Sequence, residues 1–194
     1  MATLEQVKEL RSRTGCGIVD CKEALQETKG NIEDAISLLR KRGQVKVAKK
    51  ASRETKEGIV ATYVHSNHRI AVIVSLLCET DFVARNEKFQ ELAHNIALHI
   101  AATDPVVVRP EDMPAEIVEQ ERAVAEEQAK VGNKPAEIQA KIIEGKLRSF
   151  QQEHALLTQP FVKDPQKTIA DLISEAVNEI GENIVVGEFK RIAI

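Results

Sequence analysis

Residues 69–86 read RIAVIVSLLCETDFVARN, and this segment joins two kinds of hydrophobic pattern. Residues 69–77 are β-branched and apolar on both faces, which is typical of a central β-strand. From Phe89 to Ala101 the apolar residues recur instead at the three- and four-residue spacing of an amphipathic helix. This segment therefore predicts a strand followed by a helix. With the further strands and helices described below, it predicts an α+β fold, in which segregated helices pack the strands.

Two more segments have strand-like character. Residues 58–65 alternate between apolar and polar types and are joined to residues 69–77 by Ser66-Asn67-His68, which fits a three-residue hairpin loop. Residues 184–192 predict a last strand. We expect these segments to form one three-stranded antiparallel sheet packed by helices.

The N-terminal residues 3–42 predict three short helices. Thr3 and Gln6 fit a capping box at the start of the first helix, and Asn31 fits the N-cap of the third. Gly43 is expected to end the third helix. Because about 40 residues give only a marginal core, we expect residues 1–43 to be a docking module. A basic linker, residues 44–57, then leads to an α+β core, residues 58–194.

The middle of the core predicts a helical hairpin. Prolines at positions 105, 110 and 114 indicate an extended segment. Helices of about residues 115–130 and 136–152 follow, joined at residues 131–135. The first of them is charged nearly all round, so we expect this hairpin, about residues 115–152, to project from the core. Residues 159–160 and 164–165 are expected to break the chain, and a further amphipathic helix ends at Gly181.

Composition excludes several classes of protein. The net charge of −3 argues against bulk affinity for nucleic acid, although residues 1–53 carry a net +5. No apolar run approaches the ~20 residues of a membrane span, and the N-terminus lacks the pattern of a secretory signal. Three cysteines are too few for a disulfide framework or a zinc site, and a reducing cytoplasm is the simplest location.

Enzyme signatures are also missing from the sequence. It has no phosphate-binding glycine loop, no dinucleotide fingerprint, no His-Glu-x-x-His and no Cys-x-x-Cys motif. His94 and His99 are five residues apart, which does not place them on one helix face as a metal pair. We therefore expect no catalytic residues, no metal site and no cofactor.

A basic run in residues 40–53 allows two interpretations. It contains seven positive charges and no acidic residue, so it could contact RNA phosphates. It could instead be a helix C-terminus followed by a solvated linker, which is favoured because no aromatic residue is interleaved to stack on bases. Its basic residues are Arg40, Lys41, Arg42, Lys46, Lys49, Lys50 and Arg53.

The pair Asp81-Phe82 also allows two interpretations. An acid and an aromatic ring at a strand–helix junction can be held out rigidly as a probe for another molecule. Alternatively, Asp81 caps a short helical turn while Phe82 seals the end of the sheet. The residues alone leave both open.

Two segments resemble the signatures of the translation elongation factor Ts family. Residues 10–25 resemble its N-terminal signature, and residues 78–86 resemble its second signature. The similarity continues through residues 99–102, 144–146 and 159–162 to the C-terminus, so it covers essentially the whole chain.

This resemblance implies a guanine-nucleotide exchange factor for elongation factor Tu, the GTPase that carries aminoacyl-tRNA. It implies that residues 1–43 are similar to ubiquitin-associated domains and dock on the nucleotide-binding domain of that GTPase. It implies that Asp81 and Phe82 wedge between helices of the same domain and disturb its Mg²⁺ site, without covalent chemistry. The matching docking residues are Arg11, Thr14, Gly15, Gly17, Ile18 and Val19, and the matching wedge residues are Thr80, Asp81, Phe82 and Val83.

The chain departs from the family pattern at two places. Methionines are common where this chain has Ile18 and Val19, and Asn is common where it has Leu77. Longer family members contain two similar halves of the core, whereas this chain has one. The resemblance therefore implies the short form, for which we expect a homodimer, with no membrane contact and no direct need for nucleic acid.

Overall fold

The structure, a computed structural model, describes residues 3–130 and 135–194 and confirms the α+β fold. Strands β1, β2 and β5 form a three-stranded antiparallel sheet in which β2 is central. The expected connection at residues 131–134 lies outside the described residues. The elements are α1 Leu4–Thr14, α2 Ile18–Glu27, α3 Ile32–Lys50, β1 Glu57–Val64, β2 Ile70–Cys78, α4 Asp81–Ala84, α5 Glu87–Thr103, α6 Ala115–Lys130, α7 Ala136–His154, β3 Pro160–Phe161, β4 Asp164–Thr168, α8 Ile169–Ile180 and β5 Val185–Ala193.

The three N-terminal helices share one small core. The capping box of α1 is present: Gln6 N–H donates to Thr3 Oγ1 at 3.2 Å, and Thr3 N–H donates to Gln6 Oε1 at 2.9 Å. The side chain of Asn31 caps α3 by accepting from the backbone of Glu33 and Asp34. The likeness of this core to a ubiquitin-associated domain stays a prediction. Its buried residues are Val7, Leu10, Cys21, Ala24, Leu25, Ala35 and Leu39.

Helix α3 is longer than expected. It does not end at Gly43 but continues to Lys50, so residues 44–50 of the expected linker are helical. Gly43 is buried, and a Cβ atom there would lie 2.6 Å from Nδ2 of Asn178 on α8. The glycine therefore allows a close approach of two helices rather than a helix end. The division into a module of residues 1–43 and a core stays a prediction.

The chain forms two compact units. The first comprises residues 1–61, 74–95 and 171–187, and the second comprises residues 62–73, 96–170 and 188–194. In the second unit, α6 and α7 pack against each other as the expected helical hairpin, with Ala125 and Leu147 buried. None of the helices in the described ranges has the length and apolarity to cross a membrane.

A small two-stranded ribbon replaces the chain breaks expected near residues 160 and 165. Strands β3 and β4 pair antiparallel, with an irregular register between Pro160 and Phe161. Proline is tolerated here because it starts β3 and because a two-stranded ribbon has only edge strands. Sequence reasoning treated each proline as a break and missed this pairing.

His99 lies on the buried face of α5 and is fully enclosed in the second unit. Its Nε2 lies 3.0 Å from Oε1 of Gln159, and the N–H of Val162 donates to its Nδ1 at 3.4 Å. Nδ1 therefore accepts a hydrogen bond while Nε2 donates one, which is the pattern of a neutral imidazole. Burial lowers the pKa of His99, while the bond to Gln159 opposes that shift.

We expect acid to destabilise the protein partly through His99. Because the pKa of this group is lower when folded than unfolded, its stabilising effect is complete above the unfolded value and is lost as pH falls below it. For one such group the loss cannot exceed about 1.4 kcal/mol per pH unit. Urea unfolding of wild type and His99→Gln between neutral pH and about pH 5 should show a shallower pH dependence in the variant.

Equal pH dependence in wild type and His99→Gln would show that protonation of His99 does not limit acid stability.

Candidate functional site

The segment between β2 and α5, residues 79–86, holds the most exposed aromatic ring of the molecule. We call this segment the probe turn. It contains the single helical turn α4, in which Ala84 is buried and Phe82 is 81% exposed. All five phenylalanines lie in the described ranges, and Phe82 is the only exposed one among them. The interpretation in which Phe82 seals the end of the sheet is therefore wrong.

Asp81 also does not act as the cap of the turn. The N-cap residue of α4 is Thr80, and Asp81 is the first helical residue. The carboxylate of Asp81 pairs with Arg85 on the next turn, with Oδ2 and Nη2 3.0 Å apart. Since the side chain of Arg85 is 78% exposed and that of Asp81 is 47% exposed, this pair contributes little stability, and Asp81 still faces solvent in part.

The backbone of the probe turn is held by one carboxylate from another part of the chain. Glu182 lies in residues 181–184, between α8 and β5, which we call the support loop. Its Oε2 accepts from the backbone N–H groups of Glu79 and Thr80, each at 3.0 Å, and its Oε1 accepts from Thr80 Oγ1 at 2.7 Å. The hydroxyl of Thr80 is engaged in this way and makes no side-chain cap on α4.

A second carboxylate makes the reverse connection. Glu79 Oε1 accepts from the backbone N–H of Asn183 at 2.6 Å, and Arg53 lies 3.4 Å from the same oxygen. Asn183 is buried and donates from Nδ2 to the carbonyl of Arg53 at 2.9 Å. Each of the two segments therefore holds the backbone of the other with a glutamate. Sequence reasoning missed Glu182 and Asn183, because no local pattern indicates a contact across about 100 residues.

Two pKa shifts reflect this packing. Burial raises the pKa of Cys78, and the nearby charge of Glu182 adds to the shift. Cys78 is thus a neutral thiol, and it donates to the carbonyl of Thr80 at 3.2 Å. Burial, followed by the charge of Arg53, lowers the pKa of Lys50.

The N-terminal docking residues gather at the turn between α1 and α2. Gly15 takes a left-handed conformation, with φ of 67°, and Gly17 is the N-cap residue of α2. Thr14 Oγ1 donates to the carbonyl of Leu10 at 2.7 Å, which closes the end of α1. Ile18 and Val19 then start α2 with their side chains 57% and 69% exposed.

Both sets of sequence-predicted residues lie in the first compact unit. Arg11 and Gly17 are exposed beside Ile18 and Val19, while Thr14 is half-buried. Thr80 is exposed, and Val83 is half-buried beside Phe82. The roles of these residues stay predictions.

Intramolecular contacts occupy much of the basic run. Lys46 lies 3.1 Å from Asp20, and Arg42 pairs with Glu27. Lys50 donates to the carbonyl of Gly181 at 2.7 Å, and Arg53 contacts Glu79 as described above. Four of its seven basic residues thus have partners within the protein, which favours a structural role over a phosphate-binding one.

The described residues also fall short of the requirements of a metal site. Within residues 3–130 and 135–194, no group of three or more His, Cys, Asp or Glu side chains is placed to hold a metal ion. Cys16, Cys21 and Cys78 are free thiols. In the first unit, exposed apolar side chains lie on the probe turn and at the start of α2, and hydrogen bonds hold the backbone of both. This arrangement suits recognition of another macromolecule.

Comparison with known proteins agrees with this picture. The family model for elongation factor TS matches residues 2–194. Similar proteins include elongation factor Ts of Thermosipho melanesiensis, 53% identical over 100% of this chain and 99% of that protein. Elongation factor Ts of Fervidobacterium nodosum is 53% identical over 98% of this chain and 96% of its own length. Elongation factor Ts of Maridesulfovibrio salexigens is 48% identical over 98% and 92%. The chain belongs to the elongation factor Ts family.

Proposed function

We propose that this protein is a guanine-nucleotide exchange factor for elongation factor Tu. It binds the GDP-bound GTPase and accelerates GDP release by inserting Asp81 and Phe82 into the nucleotide-binding domain. The observation that carries this proposal is the 81% exposure of Phe82 on a turn whose backbone is fixed by Glu182. An exposed apolar ring on a rigid support is suited to insertion into a partner.

Burial of the Phe82 ring in the partner would supply enough free energy to disturb the Mg²⁺ site of the GTPase. Burying a phenylalanine side chain contributes roughly 2–3 kcal/mol. Mg²⁺ in the GTPase requires near-ideal octahedral oxygen geometry, so a small displacement of its ligands weakens both the metal and GDP. Asp81 orients the insertion by offering a carboxylate beside the ring, and no covalent step is needed.

Coupling between the factor and the nucleotide is reciprocal. If the factor weakens GDP binding by a given ratio, GDP weakens binding of the factor by the same ratio. Binding of a new nucleotide therefore releases the factor, which returns unchanged to the next GTPase.

The start of α2 provides a second contact. Ile18 and Val19 are β-branched apolar residues exposed on a helix end, where the family commonly has methionine. Their side chains are stiffer than methionine but equally apolar, so they preserve a docking surface for the nucleotide-binding domain. The leucine at position 77 is half-buried, which suits packing within β2 rather than a polar contact.

A homodimer remains part of the proposal. In the second unit, the strand residues Val64, Ile73 and Ile192 are 58%, 50% and 67% exposed. Val64 and Ile73 lie between less exposed neighbours, and Ile192 follows the half-buried Arg191, so they lie on the solvent-facing side of their strands. A second copy would cover these residues and supply the half of the core that this chain lacks, in a symmetric pair.

Phe82→Ala should fold normally and lose most of the exchange activity. Because Phe82 is exposed, its removal leaves no cavity, whereas the ring burial of roughly 2–3 kcal/mol corresponds to a loss of about 30- to 160-fold in rate. Stopped-flow release of fluorescent GDP from elongation factor Tu measures this. Release at the wild-type rate by a folded Phe82→Ala protein would rule out the proposed insertion.

Val19→Ser should weaken docking on elongation factor Tu more than it slows GDP release from the docked complex. The loss of one exposed apolar contact should raise the half-saturating concentration by about five- to tenfold, equivalent to roughly 1 kcal/mol, with little change in maximal rate. Ile138→Ser, at an exposed residue of α7, is the control. An unchanged half-saturating concentration for Val19→Ser would remove α2 from the docking surface.

Ile73→Glu should convert the dimer into a monomer. A charge in an apolar interface must be desolvated without a partner, which opposes association. Light scattering of the purified protein should give half the wild-type mass, while Val124→Glu on α6 keeps the wild-type mass. A monomeric wild type, or a dimeric Ile73→Glu protein, would contradict the proposed interface.

A further inference from the structure

The geometry of the first unit points to Glu182 as a positioning residue for nucleotide exchange. We infer that its carboxylate fixes residues 79–80 and thereby the direction in which Phe82 projects. This inference rests on the proposed function and adds to it a residue outside both family signatures.

Helix α4 is too short to fix the direction of Phe82 by itself. A four-residue helix has a single turn and cannot fix its own direction through a ladder of backbone hydrogen bonds. Its backbone closes with only a few hydrogen bonds, from Ala84 N–H to the carbonyl of Thr80 at 3.3 Å, from Arg85 N–H to that of Asp81 at 3.2 Å and from Asn86 N–H to that of Val83 at 2.9 Å. The orientation of Phe82 must therefore be set by what holds the residues before and after the turn.

Residues after the turn are held by α5. Asn86 Oδ1 accepts from the N–H of Lys88 at 2.9 Å, and Phe89 is fully buried one turn later. Residues before the turn leave β2 at Cys78, where the strand ends. Glu79 and Thr80 would have unpaired N–H groups at this point, and Glu182 accepts from both.

Glu182 makes three hydrogen bonds with one carboxylate, and all three go to residues 79–80. A bond between a charged acceptor and a neutral donor is stronger than one between neutral groups. Oε2 accepts from the N–H groups of Glu79 and Thr80, and Oε1 accepts from the hydroxyl of Thr80, so both oxygens are engaged. The arrangement restricts rotation as well as translation of the residue that precedes Asp81-Phe82.

The support loop is itself fixed, so Glu182 acts from a firm position. Asn183 is buried and bonded to both Glu79 and Arg53, and Lys50 binds the carbonyl of Gly181. Glu182 and Glu79 are close carboxylates of like charge, and Lys50 and Arg53 supply the opposite charge beside them. Part of the basic run thus has a structural purpose in holding the probe turn.

The experiment has two measurements on the full-length protein. Amide hydrogen exchange, measured by NMR on the free factor, tests the contact itself. Glu182→Ala should speed exchange at Glu79 and Thr80 by about tenfold or more, because their N–H groups lose their acceptor. Glu179→Ala removes an equal charge three residues earlier, where the side chain pairs with Lys88, and should leave these amides protected.

Stopped-flow GDP release from elongation factor Tu tests the consequence for exchange. Glu182→Ala should lower the maximal rate by about fivefold or more, with the half-saturating concentration within about twofold of wild type. Glu182→Gln should restore most of the rate. Its amide oxygen can accept from the two backbone N–H groups, and its NH₂ can donate to the hydroxyl of Thr80.

A double-mutant cycle with Phe82→Ala separates positioning from general damage. If Glu182 acts through Phe82, Glu182→Ala should cause no further loss of rate in the Phe82→Ala background. A merely structural role would lower the rate by the same factor in both backgrounds and would overturn the inference, as would a wild-type rate for Glu182→Ala.

Failure of the proposed function can be told apart from failure of this inference. If wild type itself does not accelerate GDP release, the proposed function fails and the inference fails with it. If wild type and Phe82→Ala behave as proposed while Glu182→Ala equals wild type, only the inference fails.

Discussion

Backbone groups that leave a β-strand must find new hydrogen-bond partners, and this constraint shapes the probe turn. At the end of β2 the N–H groups of Glu79 and Thr80 have no strand neighbour and no preceding helix, so their partner is the carboxylate of Glu182. Glu79 in turn accepts from the N–H of Asn183. These reciprocal contacts join the end of β2 to the start of β5, and the direction of α4 and the exposure of Phe82 both depend on them.

Charge in the first unit is organised around the same contacts. A pair of neighbouring glutamates is unfavourable unless cations lie close by, and Lys50 and Arg53 occupy those positions. Helix α3 extends past Gly43 as far as Lys50, and this places the ammonium group of Lys50 on the carbonyl of Gly181 in the support loop. The positive charge that resembles an RNA-binding run in the sequence therefore has a local electrostatic reason.

Local sequence patterns predict most helices and strands of this structure, whereas they do not predict contacts between residues far apart in the chain. The capping box at Thr3, the periodic helix α5 and the hairpin strands follow from local rules, and all three are present. Gly43 was misjudged because a glycine that ends a helix and one that admits a neighbouring helix look alike in sequence. Glu182 gave no signal, since its partners lie about 100 residues earlier in the chain. The site residues themselves came from the family resemblance and not from their chemistry.

Phe82 shows why folding stability alone does not account for this surface. The sequence has only five phenylalanines, one tyrosine and no tryptophan, so few large aromatic side chains are available to fill its core. Phe89 and Phe161 are buried, yet Phe82 is left 81% exposed on a segment with several hydrogen bonds to hold it. Burying it within the chain would stabilise the fold by roughly 2–3 kcal/mol. The free protein forgoes that stabilisation, and the same free energy becomes available only when a partner encloses the ring. A rigid support is then necessary, because a flexible one would lose part of this gain as conformational entropy on binding.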